Sequence, residues 1–338
     1  MISIGNEKAA LSVDLYGGSI TDFHLRDGGI NPFTFKLATE EMPGNNRAGA
    51  SYRGHFICLG RWGPPTPGEI NAGIPDHGQA ANMAWEHITS IRDLVKMQVV
   101  TPLEGLKICR AIKMDDRNAV FKVDEYISNI NPLSRLYNVV QHPTLAKPFL
   151  TNNTIINCNA DKGFNYRFSA KPTEHAEKWP YGIMEDGGRM NVSKPDSSYS
   201  SVFSYIVKKD AEFGWITAYS PEHELLVGYM WLREIYPWIS LWQDFEEKNI
   251  RYRGLEFGTT GMHKSYKQII EEGNHEVFGE RSYLMIDAGE TQQKSYLGFM
   301  TRTPDGSGEV SEVTIADGRI SIQETGGKQL PIETTLSL

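Results

Sequence analysis

Apolar residues in this chain recur at every second position, in run after run, and almost nowhere at the 3.6-residue spacing of an amphipathic helix. Leu11, Val13 and Leu15 alternate with Ser12, Asp14 and Tyr16; Val95, Met97 and Val99 alternate with Lys96 and Gln98. Period two places every second side chain on one face of an extended chain, so these runs predict half-buried β-strands. Leu106, Ile108, Ile112 and Met114 hold one face of a further run, interrupted only by Arg110. Phe121, Val123 and Ile127 repeat the pattern after the polar loop Asp115-Asp116-Arg117-Asn118, and two such runs about a short loop read as a hairpin. A second hairpin is expected from residues 215–219 and 225–232 about Ser220-Pro221-Glu222-His223. A third is expected from residues 313–315 and 320–322 about the turn pair Asp317-Gly318. One short helix is expected over residues 263–272, ended by Gly273. Many short strands with regular turn signals predict an all-β sandwich or barrel with few short helices.

Composition narrows the partners. The chain has 338 residues, 40 % hydrophobic and 22 % charged, as in ordinary soluble globular proteins. A net charge of −8 and the lack of a basic run argue against nucleic acid or an anionic membrane as partner. No apolar stretch approaches the ~20 residues of a membrane helix. Met1-Ile2-Ser3-Ile4-Gly5 carries no charged leader, so the chain reads as cytoplasmic, or as periplasmic or secreted if a signal peptide has been removed. Cys58, Cys109 and Cys158 cannot all pair within one chain, and no CxxC occurs, which excludes a disulfide scaffold and a zinc ribbon. Residues 302–308 are rich in Gly, Ser, Thr, Asp and Pro and read as a linker. The expected organisation is a single β-sandwich domain over residues 1–300, followed by a small β-hairpin extension over 301–338 that packs on it.

Three neighbourhoods concentrate chemistry. Residues 54–86 are loop-rich and hold Gly60-Arg61-Trp62-Gly63, Pro75-Asp76-His77-Gly78 and Trp85-Glu86. Long irregular segments inside a compact domain are usually functional; as plain surface chemistry, Arg61 would be an ion-pair residue and His77 a solvated one. His142 ends the apolar run Asn138-Val139-Val140-Gln141 and precedes Pro143, which favours an extended backbone there. Its imidazole suits proton transfer near neutral pH, or it could simply satisfy a backbone group at a sheet edge. Glu256 lies between Leu255 and Phe257, so in a strand those two share one face and Glu256 takes the other. Burial there would raise its pKa toward the range of a general base. Trp238 and Trp242 offer flat apolar faces that suit a sugar ring or a core. No HxH, HExxH or EF-hand loop argues for a metal, and no GxGxxG, P-loop or GxSxG argues for a nucleotide cofactor or an α/β-hydrolase.

In order along the chain, these pieces resemble the galactose mutarotase-like (aldose 1-epimerase) superfamily over about residues 5–300. The segments that carry the resemblance are Leu15-Tyr16-Gly17-Gly18, Gly60-Arg61, the stretch His77-Gly78-Gln79 to Asn82 and Trp85-Glu86, Gln141-His142-Pro143, Gly254-Leu255-Glu256-Phe257-Gly258, and Ala288-Gly289-Glu290-Thr291. The resemblance implies a large antiparallel β-supersandwich with an open carbohydrate cleft and cofactor-independent anomer interconversion. It implies Glu256 as general base toward the anomeric hydroxyl and His142 as general acid toward the ring oxygen. His77, Arg61, Asp244 and Trp242 are implied to bind the sugar. Trp62-Gly63-Pro64-Pro65 stands where the family usually carries another sequence after Gly–Arg, which leaves the sugar unspecified. The alternatives are a non-catalytic carbohydrate-binding protein and a glycoside hydrolase or lyase on the same fold. A hydrolase would pair Glu256 with a second carboxylate, Asp244 or Asp76.

Overall fold

A computed structural model describes residues 1–303 and 308–338. The chain is built almost wholly from antiparallel strands, with two short α-helices, Pro67–Asn71 and Tyr266–Glu271. The expected all-β class is what the chain adopts. The larger sheet has eleven strands. From one edge it runs Ile2–Gly5, Ala9–Asp14, Ser19–Leu25, His55–Leu59, Val139–Leu145, Asn249–Gly254, Trp238–Glu246, Ser201–Val207, Ala160–Asn165 and Glu177–Lys178. The three-residue strand Glu256–Gly258 is wedged between Val139–Leu145 and Trp238–Glu246. The second sheet has eight strands: Ile155–Cys158, Phe213–Ser220, Leu225–Leu232, Thr291–Arg302, Val120–Asn129, Leu106–Met114, Leu94–Thr101 and Glu86–Ile91.

The alternating runs send one face of each strand into the space between the sheets. Leu106, Ile108, Ile112 and Met114 enter the main core with Phe121, Val123 and Ile127, as their period predicts. Arg110, which interrupts that row, is nonetheless buried. Its guanidinium meets Glu125 Oε1 at 2.6 Å and donates to the Gly18 carbonyl at 2.6 Å. Glu125 in turn accepts from Gln141 Nε2 at 2.8 Å, so the buried charge is paired and hydrogen-bonded. The first two expected hairpins form, with Met114 opposite Phe121 and Ser220 opposite Leu225.

Leu225–Leu232 departs from simple alternation because both of its faces are covered. Leu225, Val227, Tyr229 and Trp231 point into the main core. Leu226 and Met230 point the other way, into a second apolar cluster. That cluster is closed by a separate three-stranded sheet, Val310–Ala316, Arg319–Glu324 and Gln329–Glu333, through Val313, Ile320, Ile322 and Ile332. Val313 pairs with Ile322 and Ile315 with Ile320 about the Asp317-Gly318 turn. The expected linker falls in part on residues 304–307, outside the described residues. Cys58 and Cys158 are buried free thiols, and Cys109 is a half-buried one. Among the described residues no helix is long and apolar enough to cross a membrane.

Candidate active site

Strand register decides whether His142 and Glu256 can meet. In the pairing of Val139–Leu145 with Glu256–Gly258, Val140 lies opposite Gly258 and Gln141 opposite Phe257. One further step sets His142 beside Glu256. Alternation then sorts the faces. Phe257 goes into the core and stacks on Trp231, with ring centroids 4.2 Å apart, and Leu255 is buried with it. Gln141 faces the buried Arg110–Glu125 pair. His142 and Glu256 are left together on the opposite face, with His142 Nε2 3.3 Å from Glu256 Oε1.

The imidazole is held from two sides. His142 pairs in register with Phe56 of the next strand, and the two rings stack with centroids 4.2 Å apart. Thr144, on the same face two residues on, places its hydroxyl oxygen 2.9 Å from His142 Nδ1. That hydroxyl also donates to the His142 carbonyl at 3.4 Å. With its hydrogen so used, the oxygen accepts from Nδ1–H, which leaves Nε2 bare toward Glu256. Burial lowers His142 to about 3 and pushes the Glu256 carboxyl well above the usual carboxylate range, with the nearby Trp62 indole opposing weakly. Both shifts have the same cause: the charged forms are desolvated. The resting pair is a neutral imidazole and a neutral acid sharing one proton.

Around this pair lies a cavity of about 240 Å³. His77 and His263 line it beside His142, with His77 ring centroids 5.8 Å from His142 and 5.5 Å from His263. Burial holds both neutral; His263 is lowered to about 4. Trp62 meets His263 edge-on at 5.0 Å. Apart from the Glu41 carboxylate, the remaining walls are apolar or aromatic: Phe35, Leu37, Pro43, Val202 and Trp242, with Tyr52 stacked on Phe56 at 4.8 Å. On the lining residues His77 Nδ1 has no partner in the protein, and Glu256 Oε2 and Trp62 Nε1 have none beyond their own loose approach to each other. A buried polar atom left unpaired costs about 1–3 kcal/mol, so these are the groups that water or a polar ligand in the cavity would satisfy.

The backbone that presents His77 is unusual. His77 has φ +59° and Gly78 φ +83°, two successive left-handed residues. A side chain at 78 would strike the Leu59 carbonyl, since a Cβ there would lie 1.9 Å from that oxygen. The turn is clasped by Glu104, whose Oε2 accepts from Gln79 N–H at 3.0 Å. Glu104 is itself buried, which raises its carboxyl to about 7. Such strain persists where the surroundings hold it, and it clusters at functional sites.

Of the six residues expected at the site, His142, Glu256, His77 and Trp242 line the cavity. Arg61 and Asp244 do not. Arg61 is buried in a two-pronged pair with Glu69, at 2.9 Å for each bond, and Glu104 Oε1 lies 3.9 Å from its Nε. Glu69 is fixed by the capping box that starts the helix Pro67–Asn71, so the guanidinium is spent on holding this segment. Asp244 accepts from Arg251 at 2.7 Å, and Arg251 also reaches Glu41, again at 2.7 Å. Glu41, not Asp244, lines the cavity. His263, Trp62 and Glu41 were not foreseen. His263 was assigned to the start of a helix, but Ser265 caps that helix and His263 lies before it. Among the described residues no set of three or more His, Cys, Asp or Glu is arranged to hold a metal ion.

No family model matches the chain, and no curated protein matches it. Solved structures do. A galactose mutarotase related enzyme from Lactobacillus acidophilus superposes with a TM-score of 0.64 at 10 % identity, covering 90 % of this chain and 98 % of that one. A galactose mutarotase-like protein from Clostridium acetobutylicum gives 0.60 at 12 % identity, covering 89 % and 94 %. An aldose epimerase homologue from C. elegans gives 0.59 at 10 % identity, covering 89 % and 98 %. Likeness at this identity establishes the fold: a galactose mutarotase-like β-sandwich.

Proposed function

We propose that this protein interconverts the anomers of a sugar by general acid–base opening of its hemiacetal ring. The observation that carries this reading is the His142–Glu256 pair, 3.3 Å apart at the floor of an aromatic-walled cavity. Ring opening needs two proton transfers at neighbouring oxygens. One proton leaves the anomeric hydroxyl, and one arrives at the ring oxygen as the C1–O bond breaks. With the shared proton on His142, Glu256 takes the hydroxyl proton and His142 gives its own to the ring oxygen. The product is the open-chain aldehyde. Rotation about C1–C2 and the reverse transfers close the other anomer.

The electrostatics suit this direction. Opening turns carboxylate and imidazolium into carboxylic acid and imidazole, the neutral pair that burial favours. The protein holds the same neutral pair before and after opening, so burial makes the reactive carboxylate–imidazolium form a high-energy state that discharges as the ring opens. His77, whose Nδ1 has no protein partner, and Trp62, whose indole N–H is held only loosely by Glu256, are placed to meet hydroxyl groups. The residues supply acid and base themselves.

The test is magnetisation exchange between α and β anomers of free aldoses, with wild type and Glu256→Gln compared at neutral pH. Acceleration by wild type that falls about 10²- to 10⁴-fold in the variant is expected. Saturable binding with exchange no faster than in buffer would favour the carbohydrate-binding reading on the same fold.

A further inference from the structure

Two kinds of backbone present the polar groups of the cavity. His142 and Glu256 stand on strands, each paired in register with a neighbour on both sides. His77 and Trp62 lie in irregular backbone, on either side of the short helix Pro67–Asn71. No ladder fixes where they point, so side chains must do it. Both ends of this segment close on one carboxyl, that of Glu104. Glu104 belongs to the turn between Leu94–Thr101 and Leu106–Met114, two strands of the eight-stranded sheet, and is 1 % exposed. At the His77 end its Oε2 accepts from Gln79 N–H at 3.0 Å, and Gln79 returns the contact, its Oε1 accepting from Leu103 N–H at 2.8 Å. Gly78 packs on Glu104 Oε1 so closely that a Cβ there would lie 2.7 Å from it. At the Trp62 end Gly60 packs on the same oxygen, again with 2.7 Å to a Cβ, and Arg61 Nε lies 3.9 Å from it. The turn that mounts Glu104 is itself tied down. The Gly105 carbonyl accepts from Ile130 N–H at 2.9 Å, and the Glu104 carbonyl from Asn131 Nδ2 at 3.3 Å.

From this arrangement, and resting on the anomer-exchange reading above, we infer that Glu104 is a positioning residue for sugar binding: one buried carboxyl, supplied by the sheet that does not carry the catalytic pair, sets His77 and Trp62 against the cavity. Glu104 touches no substrate. It acts through the Gln79 amide and through the two glycines that close on it. His77 is held at φ +59°, a conformation that a side chain adopts only under constraint. Without the carboxyl the Gln79 N–H is left buried and unpaired, and the turn loses the bond that constrains it. The imidazole then swings from its place, and the backbone leading into Trp62 loses the surface that Gly60 rests on. His142 and Glu256 keep their register, because their strands make no use of Glu104.

The test splits KM from kcat in the full-length protein. Anomer exchange and saturation-transfer binding are measured over concentration series of D-glucose and D-galactose, for wild type, Glu104→Ala, Glu104→Gln and Gln79→Ala. In Glu104→Ala, KM should rise about 10- to 100-fold with kcat nearly unchanged, since binding contacts are displaced and the acid–base pair is not. Glu104→Gln keeps an acceptor for the Gln79 N–H and should restore KM. Gln79→Ala cuts only the return bond to Leu103 and should raise KM less, which gives a reading even where Glu104→Ala does not fold. A merely structural Glu104 would act through the amount of folded protein, so apparent kcat would fall and KM would stay. That pattern, or a raised KM that Glu104→Gln does not restore, would overturn the inference while leaving anomer exchange intact. Binding weakened by Glu104→Ala and restored by Glu104→Gln, in a protein without exchange, would sustain the positioning role and sink the catalysis. A wild type that neither binds nor exchanges would sink both.

Discussion

At the scale of single residues, burial without charge compensation is the chemistry of this cleft. Histidines and a glutamate are driven toward neutrality because their ions are desolvated. Glu104 extends this to the turn that presents His77. Its folded pKa of about 7 lies above the 4.5 of a free glutamate, so the stability it contributes is complete below 4.5 and is lost as pH rises through 7. Glu104→Gln removes that dependence and keeps an acceptor for the Gln79 N–H. The variant should therefore gain on wild type between pH 4.5 and 8, by up to about 3 kcal/mol. Denaturant melts at the two pH values check this, and a constant difference would show that Glu104 is ionised throughout. Glu256 was readable because alternation sets it on the face opposite Leu255 and Phe257, whereas His142 stood out by its place before Pro143 and by the family resemblance, not by alternation. Arg61 was readable as an ion-pair residue but not as a buried one, since nothing in Gly60-Arg61-Trp62 shows that Glu69 will be brought to it. His263 was lost to a helix boundary that the Ser265 cap moved by a few residues.

At the scale of elements, the site depends on Glu256–Gly258, a strand of three residues. So short a strand has little to fix it beyond its two neighbours and the side chains around it. Gly254 shows how tight the fit is. A Cβ there would lie 2.9 Å from Glu256 Oε1 and 3.1 Å from Trp242 Cβ. Gly254→Ala should displace the carboxylate. Anomer exchange should fall roughly 10- to 100-fold, with a stability loss of about 1–3 kcal/mol from overpacking. Exchange NMR and a thermal melt on one preparation separate the two effects. Equal activity with an unchanged melt would mean that the carboxylate has room to move. The hairpin about Asp115–Asn118 was readable because its strands keep a polar face, and the one about Ser220–His223 from its turn residues, since both of its strands are almost wholly buried. His55–Leu59 was not, although it carries Phe56 to the site. All five of its residues are buried, so its sequence shows no alternation to find. The wedge of Glu256–Gly258 between two longer strands is likewise a matter of tertiary register, which no local pattern encodes.

At the scale of the whole molecule, two apolar clusters share one sheet. The main core lies between the large sheets. The second lies on the outer face of the eight-stranded sheet, under the strands of residues 310–333. Ending the chain at residue 303 would uncover Trp215, Leu226, Met230, Leu297 and Phe299 together. A patch of that kind on a free surface drives association. The shortened protein should elute as larger species than the full-length chain on size exclusion and bind a hydrophobic dye. An unchanged elution with no dye signal would mean that the outer face tolerates water. The broad architecture was legible from period two alone, because alternation is a local consequence of half-burial. The second cluster was not, because continuous burial erases the alternation in Leu225–Leu232.

That strand is hydrogen-bonded to a neighbour along both edges and roofed on both faces. Deuterium in the solvent has no local route to its amides. No fraying end or loosened loop exposes them, so their exchange clock runs only when the entire sandwich comes apart. The cleft, whose carboxylate rides on three residues, keeps a faster clock.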